Sequence, residues 1–221
     1  EAIDALVGQV RAAAERLGNG RAVVAVASDH GFSPIRKSLN INAALCEAGL
    51  VELDDKGKLK SWRAITWNSG GTAAVILKDK DDEDARRKTR EVLQRLATDR
   101  NSGLFKFYEG DEARALGGFP DAAFVVGTMS GVYVGGAFDA PIIRDIKPGG
   151  GHGFLPELAE MDSTFFVVGA GVPVGRRLGR IDMRDIAPTL ASLLGVKLSK
   201  AEGRNVLKPA GQDRKSTRLN S

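Results

Sequence analysis

Ile3, Leu6, Val7, Val10, Ala14 and Leu17 recur at helical spacing with polar residues between them, which predicts an amphipathic helix over 2–17. Gly18-Asn19-Gly20 stops it, because glycine and asparagine accept the left-handed backbone of a helix C-terminus. The pattern then changes. Residues 22–27 form an unbroken, valine-rich apolar run, which predicts a short central strand covered on both faces. It runs straight into Asp29-His30-Gly31. An acid and an imidazole just past the carboxyl end of a strand stand where open α/β sheets build their sites.

Further along, "NAALCEAGL" (42–50) predicts a short helix closed by Gly49. "LKSWRAITWNSGGTAAVILKD" (59–79) predicts strands on either side of Gly70-Gly71, and "LFKFYEG" (104–110) another strand. Between them, 82–99 is a charge-laced helical pattern, expected as an exposed, solvated helix. The strand–helix–strand order from about 60 to 108 points to a small accessory subdomain with its own sheet. "DAAFVVGT" (121–128) and "STFFVVGAG" (163–171) predict two more core strands. The Gly- and Pro-rich stretch between them, 135–157, is expected as a long functional loop. In 180–196, Asp182 or Asp185 caps a helix with an early Pro188 and an apolar face of Ile186, Leu190, Leu193 and Leu194.

Composition narrows the picture only a little. Of 221 residues, 43% are hydrophobic and 27% charged, an ordinary globular balance. No apolar run is long enough to span a bilayer. The chain opens on Glu1, so the lack of a leader excludes no compartment. A single cysteine, Cys46, can form no internal disulfide and is read as a buried thiol. The net charge is +4, partly from Arg214, Lys215 and Arg218 in the last residues. Without a basic stripe interleaved with aromatics, nucleic-acid binding through a charged face is not expected. Residues 210–221 have no apolar period; "DRKSTRLNS" resembles a translated sequencing adaptor, and this tail is expected to be non-native or disordered.

The candidate chemistry lies with the two histidines. His30 follows Asp29 and precedes Gly31; His152 stands between Gly151 and Gly153. Adjacent residues of a regular strand point to opposite faces, so only an irregular turn, which Gly31 permits, aims Asp29 and His30 at one point. A carboxylate with imidazoles is a good oxygen and nitrogen set for zinc or a similar divalent ion. The competing reading is a turn with a hydrogen-bonded histidine. Thr66, Ser69 and Thr72, near Gly70-Gly71, are read as turn residues and not as a nucleophile.

"VASDHGF", "GGHGFLPE", "FFVVGAGV" and "IDMRDIAPTLASLLGV", in this order, resemble the C-terminal half of the alkaline phosphatase superfamily, in particular its type I phosphodiesterase/nucleotide pyrophosphatase group. "SWRAITWNSGGTAAVILKD" resembles the insert of that group. The resemblance covers nearly all of 1–209. It implies an α/β fold, a three-layer α/β/α sandwich with a mainly parallel sheet and a small α+β insert. The incomplete core would be 1–32 and 118–209, and the insert 33–117. It implies two divalent metal ions, usually zinc, with Asp29 and His30 at one and His152 at the other. One ion would activate a Thr or Ser nucleophile while the other stabilises the leaving oxygen.

The departures are as informative. The family supplies an early Asp, the Thr or Ser nucleophile and an Asp…His pair upstream, and no histidine precedes His30. The chain is therefore expected to begin partway through the domain, with its nucleophile before residue 1. The function implied is part of a metal-dependent phosphodiesterase or phosphatase acting on a small phosphate ester, inactive as this piece alone. The alternatives are a sulfatase or phosphate mutase of the same superfamily, or a non-catalytic lectin-like or scaffolding domain. The metal-ligand types at all three positions argue against the last. A periplasmic or extracellular location follows from the resemblance alone.

Overall fold

The computed structural model describes residues 1–98 and 103–208; the 210–221 tail lies outside the described residues. The chain divides into two compact units, Ser28–Ser163 and a second made of Glu1–Ala27 with the residues from Thr164 on.

The Ser28–Ser163 unit holds the core. Its elements in chain order are β2 (Ser33–Leu39), α2 (Ile41–Glu47), β3 (Val51–Leu53), β4 (Leu59–Trp62), β5 (Ala64–Asn68), β6 (Thr72–Leu77), α3 (Glu83–Thr98), β7 (Phe105–Glu109), α4 (Gly110–Ala115), β8 (Phe124–Thr128), β9 (Gly131–Val134) and β10 (Ile143–Gly151); β1 precedes it, in the other unit. A four-stranded antiparallel sheet runs β5-β6-β8-β7. Ala73, Val75, Phe124 and Val126 on its central strands pack with Leu39, Ile41, Leu45, Val92, Leu93 and Leu96 from β2, α2 and α3. The expectation of an exposed helix over 82–99 is corrected here. Ala85, Thr89, Val92, Leu93 and Leu96 line one buried face, and the charges occupy the other. Arg63 fastens the helix start to the sheet through Asp82 and Asp84, at 2.6 and 3.0 Å.

A second sheet of this unit runs β10-β2-β9. β2 and β9 are parallel and β2 and β10 antiparallel, and β2–β9 is the parallel pair among the described strands. The loop expected over 135–157 therefore holds a nine-residue strand, β10, with irregular chain on either side. β10 absorbs Pro148 and three glycines because it lies at the sheet edge and its register with β2 shifts between Asp145 and Gly149; edges and bulges are where strands tolerate proline and glycine. Phe124–Thr128, expected in the main core, pairs with the 64–77 hairpin instead.

The other unit is sparser. α1 (Ala2–Gly18) ends at Asn19 in the left-handed conformation, φ 50° and ψ 48°, as its sequence implies. Among the described residues β1 (Val23–Ala27) pairs only with β11 (Phe165–Gly169), antiparallel, and it is not the doubly covered strand that its composition predicts. α5 (Ile186–Leu193) follows a short 3-10 turn, Met183–Asp185. Asp182 caps that turn through the Arg184 amide, while the buried Asp185 carboxylate accepts from the Arg204 amide at 2.8 Å. Thr189 and Ala191 are the buried residues of α5, and Leu194 is exposed; the apolar face read from the sequence is not the one covered here. Among the described residues no helix is long and apolar enough to cross a membrane.

Candidate metal centre

Antiparallel pairing makes the site. Ser33, the first residue of β2, stands opposite Gly151, the last of β10. Asp29 and His30 lie just before the one and His152 just after the other, so the ladder delivers all three to the same end of one sheet. The imidazoles of His30 and His152 stack with centroids 4.0 Å apart and planes inclined by 16°. The Phe32 ring continues the series, 6.4 Å from His152.

The Asp29–His30 pair is held by its own backbone. The His30 amide donates to Asp29 Oδ1 at 3.0 Å, which turns the second carboxylate oxygen toward the ring. His30 Nδ1 lies 2.8 Å from the Gly31 carbonyl; a carbonyl only accepts, so Nδ1 carries the proton and the neutral ring keeps its lone pair at Nε2. Nε2 stands 3.4 Å from Asp29 Oδ2. With the ring neutral, Nε2 and Oδ2 both turn lone pairs toward the space between them, an arrangement that a shared cation would suit. Tetrahedral zinc with ordinary Zn–N and Zn–O lengths sets its ligands about 3.3 Å apart. The Nδ1 contact to a backbone carbonyl is also the outer support that metal-bound histidines use. The donor chemistry of Asp29 and His30 thus fits two corners of a zinc site.

Among the described residues no three His, Cys, Asp or Glu side chains form a group able to hold a metal. His152 meets His30 face to face, and its ring is near the pair without closing on the same point. Asp29 and His152 are exposed and His30 is half-buried.

The glycines act differently from what the sequence implies. Gly31 does not take a positive φ. Its role is close approach: a Cβ there would lie 1.8 Å from the Glu160 carbonyl oxygen, and its amide donates to Met161 O at 3.0 Å. Gly150 makes room for Phe32, whose ring would stand 1.8 Å from an added Cβ. Gly70 and Gly71, read from the sequence as a break between two strands, touch the candidate centre. The Gly71 amide donates to the His152 carbonyl at 3.0 Å. A Gly-Gly pair between two strands was the available signal; what it approaches could not be read from it.

The family profile of type I phosphodiesterase / nucleotide pyrophosphatase matches residues 1–124, over half of the chain and including Asp29 and His30; His152 lies beyond the match. The chain belongs to this family. Among solved structures it is similar to human ectonucleotide pyrophosphatase / phosphodiesterase 5, with a TM-score of 0.55 and 15% identity over 84% of this chain and 45% of that one. The murine counterpart gives a TM-score of 0.54 and 17% identity over 83% and 42%, as does an inactive murine variant in complex with AMP. The α/β fold is thus shared, and the chain spans less than half the length of these relatives. No curated protein matches the chain.

Proposed function

We propose that the chain is part of a metal-dependent hydrolase of phosphate esters, in which Asp29 and His30 hold one divalent ion, of the zinc type, and His152 contributes to a second. The observation that carries this reading is the Asp29 Oδ2–His30 Nε2 approach of 3.4 Å beside the stacked His152 ring. The family membership and the AMP complex of the murine relative favour a nucleotide-like ester as substrate. Two such ions, when bound, neutralise the attacking and leaving oxygens of an in-line displacement at phosphorus.

The residues of this chain prepare that chemistry. The contact of His30 Nδ1 with the Gly31 carbonyl leaves Nε2 as the ring nitrogen on the Asp29 side, free to act as a ligand. The His30 amide orients the Asp29 carboxylate. The remaining ligands and a Thr or Ser nucleophile belong to polypeptide outside this chain, a reading supported by the incomplete ligand set and by the share of the relatives that the chain spans. An exported place of work, periplasmic or extracellular, is part of the same proposal.

The test compares residues 1–209 with a version extended upstream, each with added zinc, on a chromogenic phosphodiester and on the matching sulfate ester. The extended protein should turn over the phosphodiester and the shorter one should not. Asp29→Asn in the extended protein should lower turnover about a hundredfold. Equal turnover by the two lengths, or a preference for the sulfate ester, overturns the reading.

A further inference from the structure

Thr72, the first residue of β6, is 6% exposed. Its hydroxyl donates to the carbonyl of Gly153 at 2.8 Å. The preceding residue, Gly71, donates its amide to the carbonyl of His152. Consecutive residues of one turn thus hold the carbonyls of His152 and of the residue after it. The turn is itself tied down: the Gly70 carbonyl accepts from the Val134 amide at 2.9 Å, and the Gly71 carbonyl from the Thr128 amide at 2.8 Å.

The two backbones interlock. A Cβ on Gly70 would lie 2.0 Å from the His152 carbonyl oxygen, and one on Gly153 would lie 1.9 Å from that of Ser69. Phe154, 7% exposed, lies against Gly71, where an added Cβ would stand 2.2 Å from its ring. The His152 ring is exposed, yet the backbone beneath it is clamped to the four-stranded sheet. Gly151 and Gly153 would otherwise leave that backbone with unusual freedom.

We propose that Thr72 is a positioning residue for His152: its buried hydroxyl fixes the Gly151–Gly153 segment to β6 and so sets where the His152 imidazole stands relative to His30. Its consequence for hydrolysis rests on the metal-centre reading, because ligand groups must be held within about half an ångström of their working geometry.

The chain has two histidines, so imidazole proton resonances identify them without ambiguity. In the full chain without metal, the stacked rings should give cross-ring NOEs and mutual ring-current shifts. Thr72→Val, which keeps the shape and removes the donor, should lose the NOEs and move both rings toward the shifts of exposed histidine. Thr72→Ser should restore them. Should Thr72→Val fail to fold, Gly153→Ala strikes the same contact from the loop side and should have the same effect. A folded Thr72→Val or Gly153→Ala protein that retains the cross-ring NOEs overturns the proposal. Zinc and substrate are left out, so absence of turnover by the upstream-extended protein, which would count against the hydrolase reading, does not touch this result.

Discussion

The two units use apolar residues in opposite ways. In Ser28–Ser163, Phe124, Leu39, Ile41, Leu45, Val75 and Leu93 are fully buried in one cluster. In the other unit, Ile3 and Leu17 of α1 are 77% and 80% exposed, and Phe166 of β11 is 64% exposed. The helical period of α1 and the valine run of β1 are as strong in the sequence as anything in the closed unit. A periodic apolar stripe therefore reports that a face is meant to be covered, and says nothing of whether the same stretch of chain supplies the cover. The candidate centre lies in the unit whose core is closed, which suits a site that must hold side chains to sub-ångström tolerance.

The largest expected effect is in amide exchange. Amides of β6 and β8 should exchange at least about a hundredfold more slowly than those of β1, β11 and α1, because protection follows buried contact. Equal protection in the two units would break the comparison. Next comes side-chain truncation. Phe124→Ala should destabilise its unit by about 3–5 kcal/mol, whereas Leu6→Ala, on the open face of α1, should change stability by less than about 0.5 kcal/mol. Urea unfolding followed by tryptophan fluorescence reads Phe124→Ala, because Trp62 and Trp67 both lie in its unit, and far-UV circular dichroism, to which α1 contributes, reads Leu6→Ala; a Leu6→Ala shift as large as that of Phe124→Ala would contradict this.

The smallest effect is in acid. Asp84 is held down at about 2 by its hydrogen bonds to Lys88 and Arg63, and Asp82 is lowered by Arg63. A carboxyl depressed in the fold stabilises it at pH above its ordinary value of about 3.9, and that contribution is lost as the pH falls through about 2. Asp84 is exposed and Asp82 half-buried, and surface ion pairs of this kind contribute little, so the change should be slight and should fade in high salt. It is read as a small shift of the fluorescence-detected acid midpoint that Arg63→Gln abolishes. An Arg63→Gln protein with the same midpoint at low salt would show that this link between the residue before β5 and the start of α3 adds nothing to the closed unit.

Much of the fold was legible because it is written in period. The sequence places a helix over 2–17 where α1 runs, strands around Gly70-Gly71 where β5 and β6 run, and a helix over 82–99 where α3 runs. The strands that build the centre were not legible in this way. β2 reads Ser-Pro-Ile-Arg-Lys-Ser-Leu and β10 ends in proline and three glycines. Neither alternates cleanly, and their strand character comes from pairing with each other and, for β2, with β9. Asp29, His30 and His152 stood out through residue type and flanking glycines. That the last two stack, and that Thr72 reaches under one of them, depends on a register that no local pattern encodes.

That register has a consequence in time. His30 leaves the ribosome more than a hundred residues ahead of His152, a delay on the order of ten seconds at ordinary synthesis rates. The β5–β6 hairpin closes between near neighbours, Asn68 opposite Ala73, whereas β2 must wait for β10 and then meet the larger closure cost of a long loop. The turn that receives His152 is thus built from early, local contacts, and the pairing that delivers the histidine to it belongs among the last steps of the nascent chain.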